Sequence, residues 1–332
     1  MPTANPPSQL SQSDRRALRS VVAQFFMNGA ISASFVARFP EIRDRIGVSI
    51  GVWGLLLTTA GVFGITASLV AGRLVERIGT RRIMMLGSVG TVGTLLLIGA
   101  ATTPVVFVLG LLVFGISDVN IDIAMNLQGS WISARKRVPV MNRLHGTWSL
   151  GALVGGLGAS RAAAAGLSLP AHFVIVVVLS TVILAWSTRS LLPTDEHGHA
   201  DAPLPGAAPA PRSTRFGPLT MLVGAGMAAI VLEMAGMEWA TFRLSDDFFT
   251  SDATASLGFV AFMAGMTVSR VSGDFVQHRF GRAVLHWASV VLASVGIVVA
   301  TLVPHELLVL AGFLVLGSGV AIFMPKLYDD AA

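Results

Sequence analysis

The 332-residue chain is 53% hydrophobic and only 12% charged, with a mean hydropathy of +0.73; a soluble domain carries about twice that charge, so an ordinary soluble fold is excluded. The formal net charge of +5 would suit nucleic acid, but the arginines lie beside apolar runs and not along one polar face, which suits lipid headgroups and membrane topology. Cysteine is absent, which excludes disulfides and thiolate metal sites.

Residues 1–13 are rich in Pro, Ser, Gln and Asn and are expected to be disordered, within a cytoplasmic tail over 1–15. No signal peptide is evident, because the first apolar run follows Arg15, Arg16 and Arg19 and has no small-residue cleavage site before the next span. Hydropathy predicts ten helices, over 17–38, 48–74, 82–102, 105–127, 140–162, 171–191, 218–242, 253–275, 283–303 and 306–326. The first six form an N-terminal half, 16–191. The Pro-, Ala- and His-rich stretch 192–217 reads as a linker, and 218–332 holds the remaining four. With the N-terminus and linker placed in the cytoplasm, inside segments carry 16 of the 23 basic residues and outside loops carry 5. That asymmetry predicts the orientation.

The most informative turn lies between the second and third helices, at 72–82, reading GRLVERIGTRR. Arg73, Arg77, Arg81 and Arg82 crowd it, as a short cytoplasmic loop requires, and Gly72 and Gly79 are expected to leave room for close helix contact. A topogenic anchor alone is one reading of such a loop. A second basic turn, Arg279-Phe280-Gly281-Arg282, lies 202 residues later, and Gly110 and Gly115 meet Gly312 and Gly317 at the same offset. Two landmarks at one offset indicate a duplicated bundle, the usual sign of a secondary transporter.

GRLVERIGTRR resembles the signature loop of the major facilitator superfamily, Gly-x-x-x-Asp-Arg-x-Gly-x-Arg-Arg, with Glu76 in place of the aspartate. FFMNGAISASFVARFPEIRDRIGVS (25–49), DIAMNLQG (122–129) and HGTWSLGALVGG (145–156) are similar to the bacterial branch related to fucose permease, and EMAGMEW (233–239) resembles its seventh-helix pattern more loosely. The resemblance implies an all-α bundle of two pseudo-repeated halves and secondary transport of a small, sugar-like solute across the inner membrane, coupled to protons. It also implies that Gly72, Glu76, Arg77, Gly79, Arg81 and Arg82 form a cytoplasmic gate. The family has twelve helices, so six plus four reads as a chain truncated after the tenth. The runner-up reading is therefore a non-transporting membrane scaffold.

Polar residues inside a bilayer are costly and mark function by default. Asp118 and Asp122 lie four apart on the fourth predicted helix and share one face, and Asn126 extends that stripe. Two carboxyls facing an aqueous cavity can carry a proton; the structural alternative makes Asp122 a hydrogen-bond partner near the cytoplasmic end. Asp122 matches the family segment and is expected to outweigh Asp118. On the seventh helix Glu233, deeper in the helix, is a cavity candidate. Glu238 and Trp239 follow it, where an aromatic beside a carboxylate can stack on a sugar ring or a cation, or else sit in the interfacial belt. Asn28 is a candidate cavity contact or an interhelical hydrogen bonder. Arg143 and His145 open the fifth helix, where a histidine is more often structural, and Gly151 and Gly155 make a small-residue face. Arg270 and Asp274, four apart, are expected to pair with each other. One enzyme reading, a membrane-embedded prenyl or lipid transferase, would use Asp118 and Asp122 on Mg²⁺, but the second half supplies no matching acidic cluster. No cofactor or metal is expected. The expected partners are the solute, protons and the bilayer, and nucleic acid is not among them.

Overall fold

A computed structural model describes residues 11–136, 140–193 and 216–321, which are helical with no strand among them. Residues 1–10 of the expected tail (1–15), residues 194–215 of the expected linker (192–217) and the last residues from 322 onward, Lys326 included, lie outside the described residues; the end of the tail, expected to be disordered to residue 13, is helical from Gln12, and the end of the linker from Phe216. The helices are α1 (Gln12–Val36), α2 (Phe39–Ile46), α3 (Ile50–Ile78), α4 (Thr80–Ala100), α5 (Pro104–Lys136) and α6 (Met141–Ala164). They continue with α7 (Leu169–Ser187), α8 (Phe216–Phe248), α9 (Asp252–Phe280), α10 (Arg282–Leu302) and α11 (Glu306–Val320).

Each of the ten helices expected from hydropathy is present, but the ends differ. The apolar run read at 105–127 continues as helix to Lys136, and the run read at 253–275 continues to Phe280. Hydropathy marks where the hydrocarbon ends. The helix goes further, because its backbone amides need partners through the polar interface as well. The charged segment FPEIRDRI, read as an outside loop, is the short helix α2, bent 48° from α1. Among the described residues six helices are long and apolar enough to cross a membrane singly, and α1 with α2 pass together as a seventh.

The duplication is written into the backbone. α3 and α9 each span 29 residues, α4 and α10 each span 21, and both pairs begin and end at an offset of 202. Ser49 and Ser251 each cap their helix by accepting from the amide three residues on. Gly79 (φ 83°) and Gly281 (φ 87°) then close those helices in the left-handed half of φ space, and each donates its N–H to the carbonyl four residues back. Gly79 is therefore required by its own backbone, which accounts for the glycine between Ile78 and Thr80. The register also holds where the residue types differ: Gly47 (φ 71°) corresponds to Phe249 (φ 53°), an exposed aromatic in a conformation that bulky residues avoid.

The chain divides into two compact units. The first comprises Met1–Ile31, Ile42–Trp148 and Leu169–Pro205; the second comprises Ser32–Glu41, Ser149–Ser168 and Gly206–Ala332. In the first unit the usual burial pattern is inverted. Val89 is 74% exposed beside Ser88 at 6%, and Thr91, Thr94, Gln24 and Gln128 are buried. Apolar side chains face outward to solvate in lipid, and short polar ones supply helix–helix hydrogen bonds inside. Gln128 shows how this works. Its Nε2 donates to Thr80 Oγ1 (2.8 Å) and to the Leu192 carbonyl (2.9 Å), and its Oε1 accepts from the Leu192 amide (3.0 Å). One buried amide thus fastens the start of α4, directly after the basic turn, to α5 and to the segment following α7.

In the second unit α9, α10 and α11 pack backbone against backbone. A Cβ on Gly317 would meet the Phe262 carbonyl, one on Gly265 the Leu314 carbonyl, and one on Gly312 the Ala300 nitrogen. Hydrogen bonds to backbone carbonyls add to this packing. Ser256 Oγ donates to Ala37 O (2.7 Å), Ser160 Oγ to Ala253 O (2.8 Å) and Arg38 Nη2 to Leu167 O (3.0 Å).

Candidate functional site

Two polar clusters lie within the helical bundle, one in each unit. In the first unit Asn28, 7% exposed on α1, is the centre. Its Nδ2 donates to Asp118 Oδ1 on α5 (2.7 Å), and its Oδ1 accepts from Trp148 Nε1 on α6 (2.6 Å). Both ends of the amide are matched, donor to carboxylate and acceptor to indole, so the Asp118 carboxyl is held by a side chain that is itself held. The sequence singled out Asn28 and Asp118 separately. Trp148 was missed, although a polar-tipped aromatic in an otherwise small-residue helix is the kind of residue that seeks a buried acceptor.

Asp122 and Asn126 lie on the same face of α5, as their spacing requires, but have a separate arrangement. Asn126 Nδ2 donates to the Asp122 side chain (3.0 Å) and to its carbonyl (2.8 Å), and Asp122 is solvent-exposed. The two carboxyls are neighbours on one helix with different partners. His145 on α6 meets Phe25 on α1 edge-on, ring centroids 5.4 Å apart.

In the second unit the expected pairing of Arg270 with Asp274 falls on a side chain outside the described residues. Arg270 of α9 reaches two other helices: its Nη1 donates to Ser149 Oγ on α6 (2.5 Å) and its Nη2 to Glu233 Oε1 on α8 (3.4 Å). The Arg270 and Glu233 side chains are only 11% and 15% exposed, and Ser149 is fully buried. Glu238 is half-buried one and a half turns beyond Glu233 and does not join this group, as the spacing of five foretold. Trp239 is 37% exposed and its ring is tilted against Phe242.

At the basic turn Arg73, Glu76, Arg77, Arg81 and Arg82 are all exposed, and none forms an ion pair among the described residues. The close helix contact expected at Gly72 is absent: no described atom lies within 4 Å of where its Cβ would be. Gly72 is exposed on α3, nearly two turns before the end of the helix at Ile78. The residue that secures this turn is Thr80 through Gln128, which lies in the DIAMNLQG stretch and which sequence reading passed over. Its signal was available, since an uncharged amide in an apolar run must find an internal partner.

A family model for the Major Facilitator Superfamily matches residues 21–329. The chain belongs to the major facilitator superfamily. An uncharacterized transporter of Sinorhizobium fredii, y4wD, is 27% identical over 321 residues, covering 95% of this chain and 82% of the relative. Membrane protein MosC of Rhizobium meliloti is 28% identical, covering 95% of this chain and 75% of the relative. Among solved structures, the nucleoside transporter NupG superposes with a TM-score of 0.69 at 12% identity, over 97% of this chain and 85% of NupG; at that identity the likeness concerns the fold. The superfamily member is thus a multi-pass membrane transporter of all-α fold, and not an enzyme.

Proposed function

We propose that this superfamily member is a proton-coupled secondary transporter of a small, sugar-like solute in a bacterial inner membrane. The observation that supports coupling is the Asp118 carboxyl, gripped by Asn28 with Trp148 behind it, on three different helices. An ionisable group on a spanning helix is costly unless it is used, and a fixed carboxyl with defined partners is what reversible protonation requires. Asp122 and Asn126, one turn along α5, extend the polar stripe toward the cytoplasmic end. The sugar-like character rests on the similarity of 25–49, 122–129 and 145–156 to the fucose permease branch, and the bacterial setting on the rhizobial relatives. In this reading the chain has an N-terminal half over 16–191 and a later half over 218–332, joined by a cytoplasmic linker, and the 72–82 turn belongs to the cytoplasmic gate.

The test uses the purified protein in pyranine-loaded vesicles, challenged in turn with hexoses, polyols and hexuronates. At least one should acidify the lumen, and a protonophore should abolish accumulation. Accumulation indifferent to an imposed pH gradient, or no acidification by any of them, would overturn proton coupling. Orientation has its own measurement. Alkaline phosphatase fused at Ala207 is expected to be inactive, and an active fusion would reverse the assignment drawn from the 16-to-5 charge split.

A further inference from the structure

Phe249, in the turn between α8 and α9, combines two properties that a residue seldom has together. Its backbone is left-handed (φ 53°), and its side chain is 88% exposed. Among the described residues it is the one residue other than glycine with a positive φ. The ring has no part in holding that conformation. The turn does so instead: the Thr250 N–H and hydroxyl both donate to the Leu244 carbonyl (3.3 and 3.1 Å), and Ser251 caps α9 by accepting from the Thr254 amide. At the matching turn of the first half Gly47 carries the same backbone without a Cβ to oppose it. In water Phe249 is unfavourable on both counts, because its Cβ opposes the backbone and its ring stays hydrated. Taking a phenyl ring out of water stabilises at least as much as a left-handed residue costs, so an apolar cover over the ring offsets the strain. Its neighbour Phe248 already has a partner, since it is half-buried with the Arg243 guanidinium 5.1 Å from its ring centroid.

Two observations identify the cover. Phe249 stands three positions before Asp252–Gly273, a segment of α9 long and apolar enough to cross a membrane, which puts the ring where hydrocarbon meets headgroups. It also stands alone. Its exposed neighbours are Asp247, Ser251 and Asp252, and a protein partner needs a far larger apolar patch than one ring. We infer that Phe249 is a membrane anchor, its ring entering the lipid at the headgroup boundary and holding the α8–α9 turn against the bilayer. Charge selects the lipid class. Residues 243–252 carry three carboxylates, Asp246, Asp247 and Asp252, against one cation, Arg243. Such a turn attracts the ammonium end of a zwitterionic headgroup and repels an anionic one. Arg279 and Arg282, at the far end of α9, have the opposite preference.

Two substitutions separate the ring from the backbone. Phe249→Ala removes the ring and keeps the Cβ; Phe249→Gly removes both. Thermal melts are followed in phosphatidylcholine nanodiscs that each hold one copy of the protein, so any change is an effect of lipid and not of a partner. Phe249→Ala should melt below the unmodified protein, and Phe249→Gly should recover part or all of that loss, because glycine accepts the left-handed backbone. An unchanged melt for Phe249→Ala overturns the anchor, since a ring standing in water can be cut away without loss. A Gly variant no more stable than the Ala variant overturns the left-handed cost. In phosphatidylglycerol discs the loss on Phe249→Ala should shrink, and an equal or larger loss there overturns the zwitterionic class. Placement is measured separately from stability. The fluorescence that Phe249→Trp adds to that of the six native tryptophans should be quenched by lipid brominated near the headgroup and spared by acrylamide. Quenching by acrylamide with none by the lipid would place the ring in water and overturn the inference.

Discussion

Replacing Asp118 by Asn is expected to abolish accumulation driven by a pH gradient while leaving exchange of solute across the membrane largely intact. The substitution is close to isosteric. An Asn oxygen at 118 can still accept from Asn28 Nδ2, now 2.7 Å from the carboxylate, so the link from α1 to α5 survives and with it the Trp148 bond behind it. Only the capacity to take up and release a proton is lost. If one proton accompanies each solute, a gradient of one pH unit supplies about 1.4 kcal/mol and supports about tenfold accumulation. The Asp118→Asn ratio should fall to unity. Asp122→Asn is expected to lower accumulation less, because Asp122 is exposed and bonded within its own helix to Asn126. That ordering reverses the one expected from the family-like DIAMN segment, and the reason is tertiary: Asp118 is tied across helices and Asp122 is not. Counterflow in the same vesicles decides what kind of residue Asp118 is. Loss of exchange together with accumulation would make it a solute contact or a structural post, and normal accumulation in both variants would move coupling elsewhere.

The parts of this molecule that sequence made legible are those governed by local rules. Apolar runs located every described helix but α2, and the basic turns with their glycines located the repeat, because hydrocarbon thickness and left-handed φ constrain residue type at fixed positions. The charged helix α2 escaped because its eight residues satisfy no membrane rule. Site residues were legible one at a time and not as clusters. Asn28 and Asp118 were each singled out, yet nothing in a sequence 90 residues apart states that they touch. The spacing rule for helices points from Arg270 to Asp274, whose side chain lies outside the described residues, but no such rule could point to Glu233 on another helix. Trp148 and Gln128 were missed for the same reason: each gains its meaning from a partner far away in sequence. Gly72 differs in the opposite direction, a small residue read as a contact where no described neighbour lies within 4 Å of its Cβ position.

The two glycines Gly72 and Gly317 should therefore respond in opposite ways to the same change. At Gly317 an added Cβ would lie against the carbonyl oxygen of Phe262, with its carbon at 2.9 Å and the Met266 nitrogen at 3.2 Å. These are backbone atoms of α9 and cannot rotate away, so α11 must move bodily. Overpacking of this kind costs about 1–3 kcal/mol for a single methyl, and Val should cost more and reduce the yield of folded protein. At Gly72 the space is open, and Ala in place of Gly within a helix gains up to about 1 kcal/mol. Thermal melts in detergent should show Gly317→Ala well below the unmodified protein and Gly72→Ala level with it or above. Gly265 tests the mechanism, because its Cβ would press on the Leu314 backbone and the Ser318 nitrogen of the same α9–α11 seam, from the α9 side. Once one methyl has spread the two helices the second finds room already made, so Gly265→Ala with Gly317→Ala should cost less than the two losses added. Strict additivity would mean that the two glycines act at independent sites, and an unchanged melt for Gly317→Ala would remove the close seam altogether.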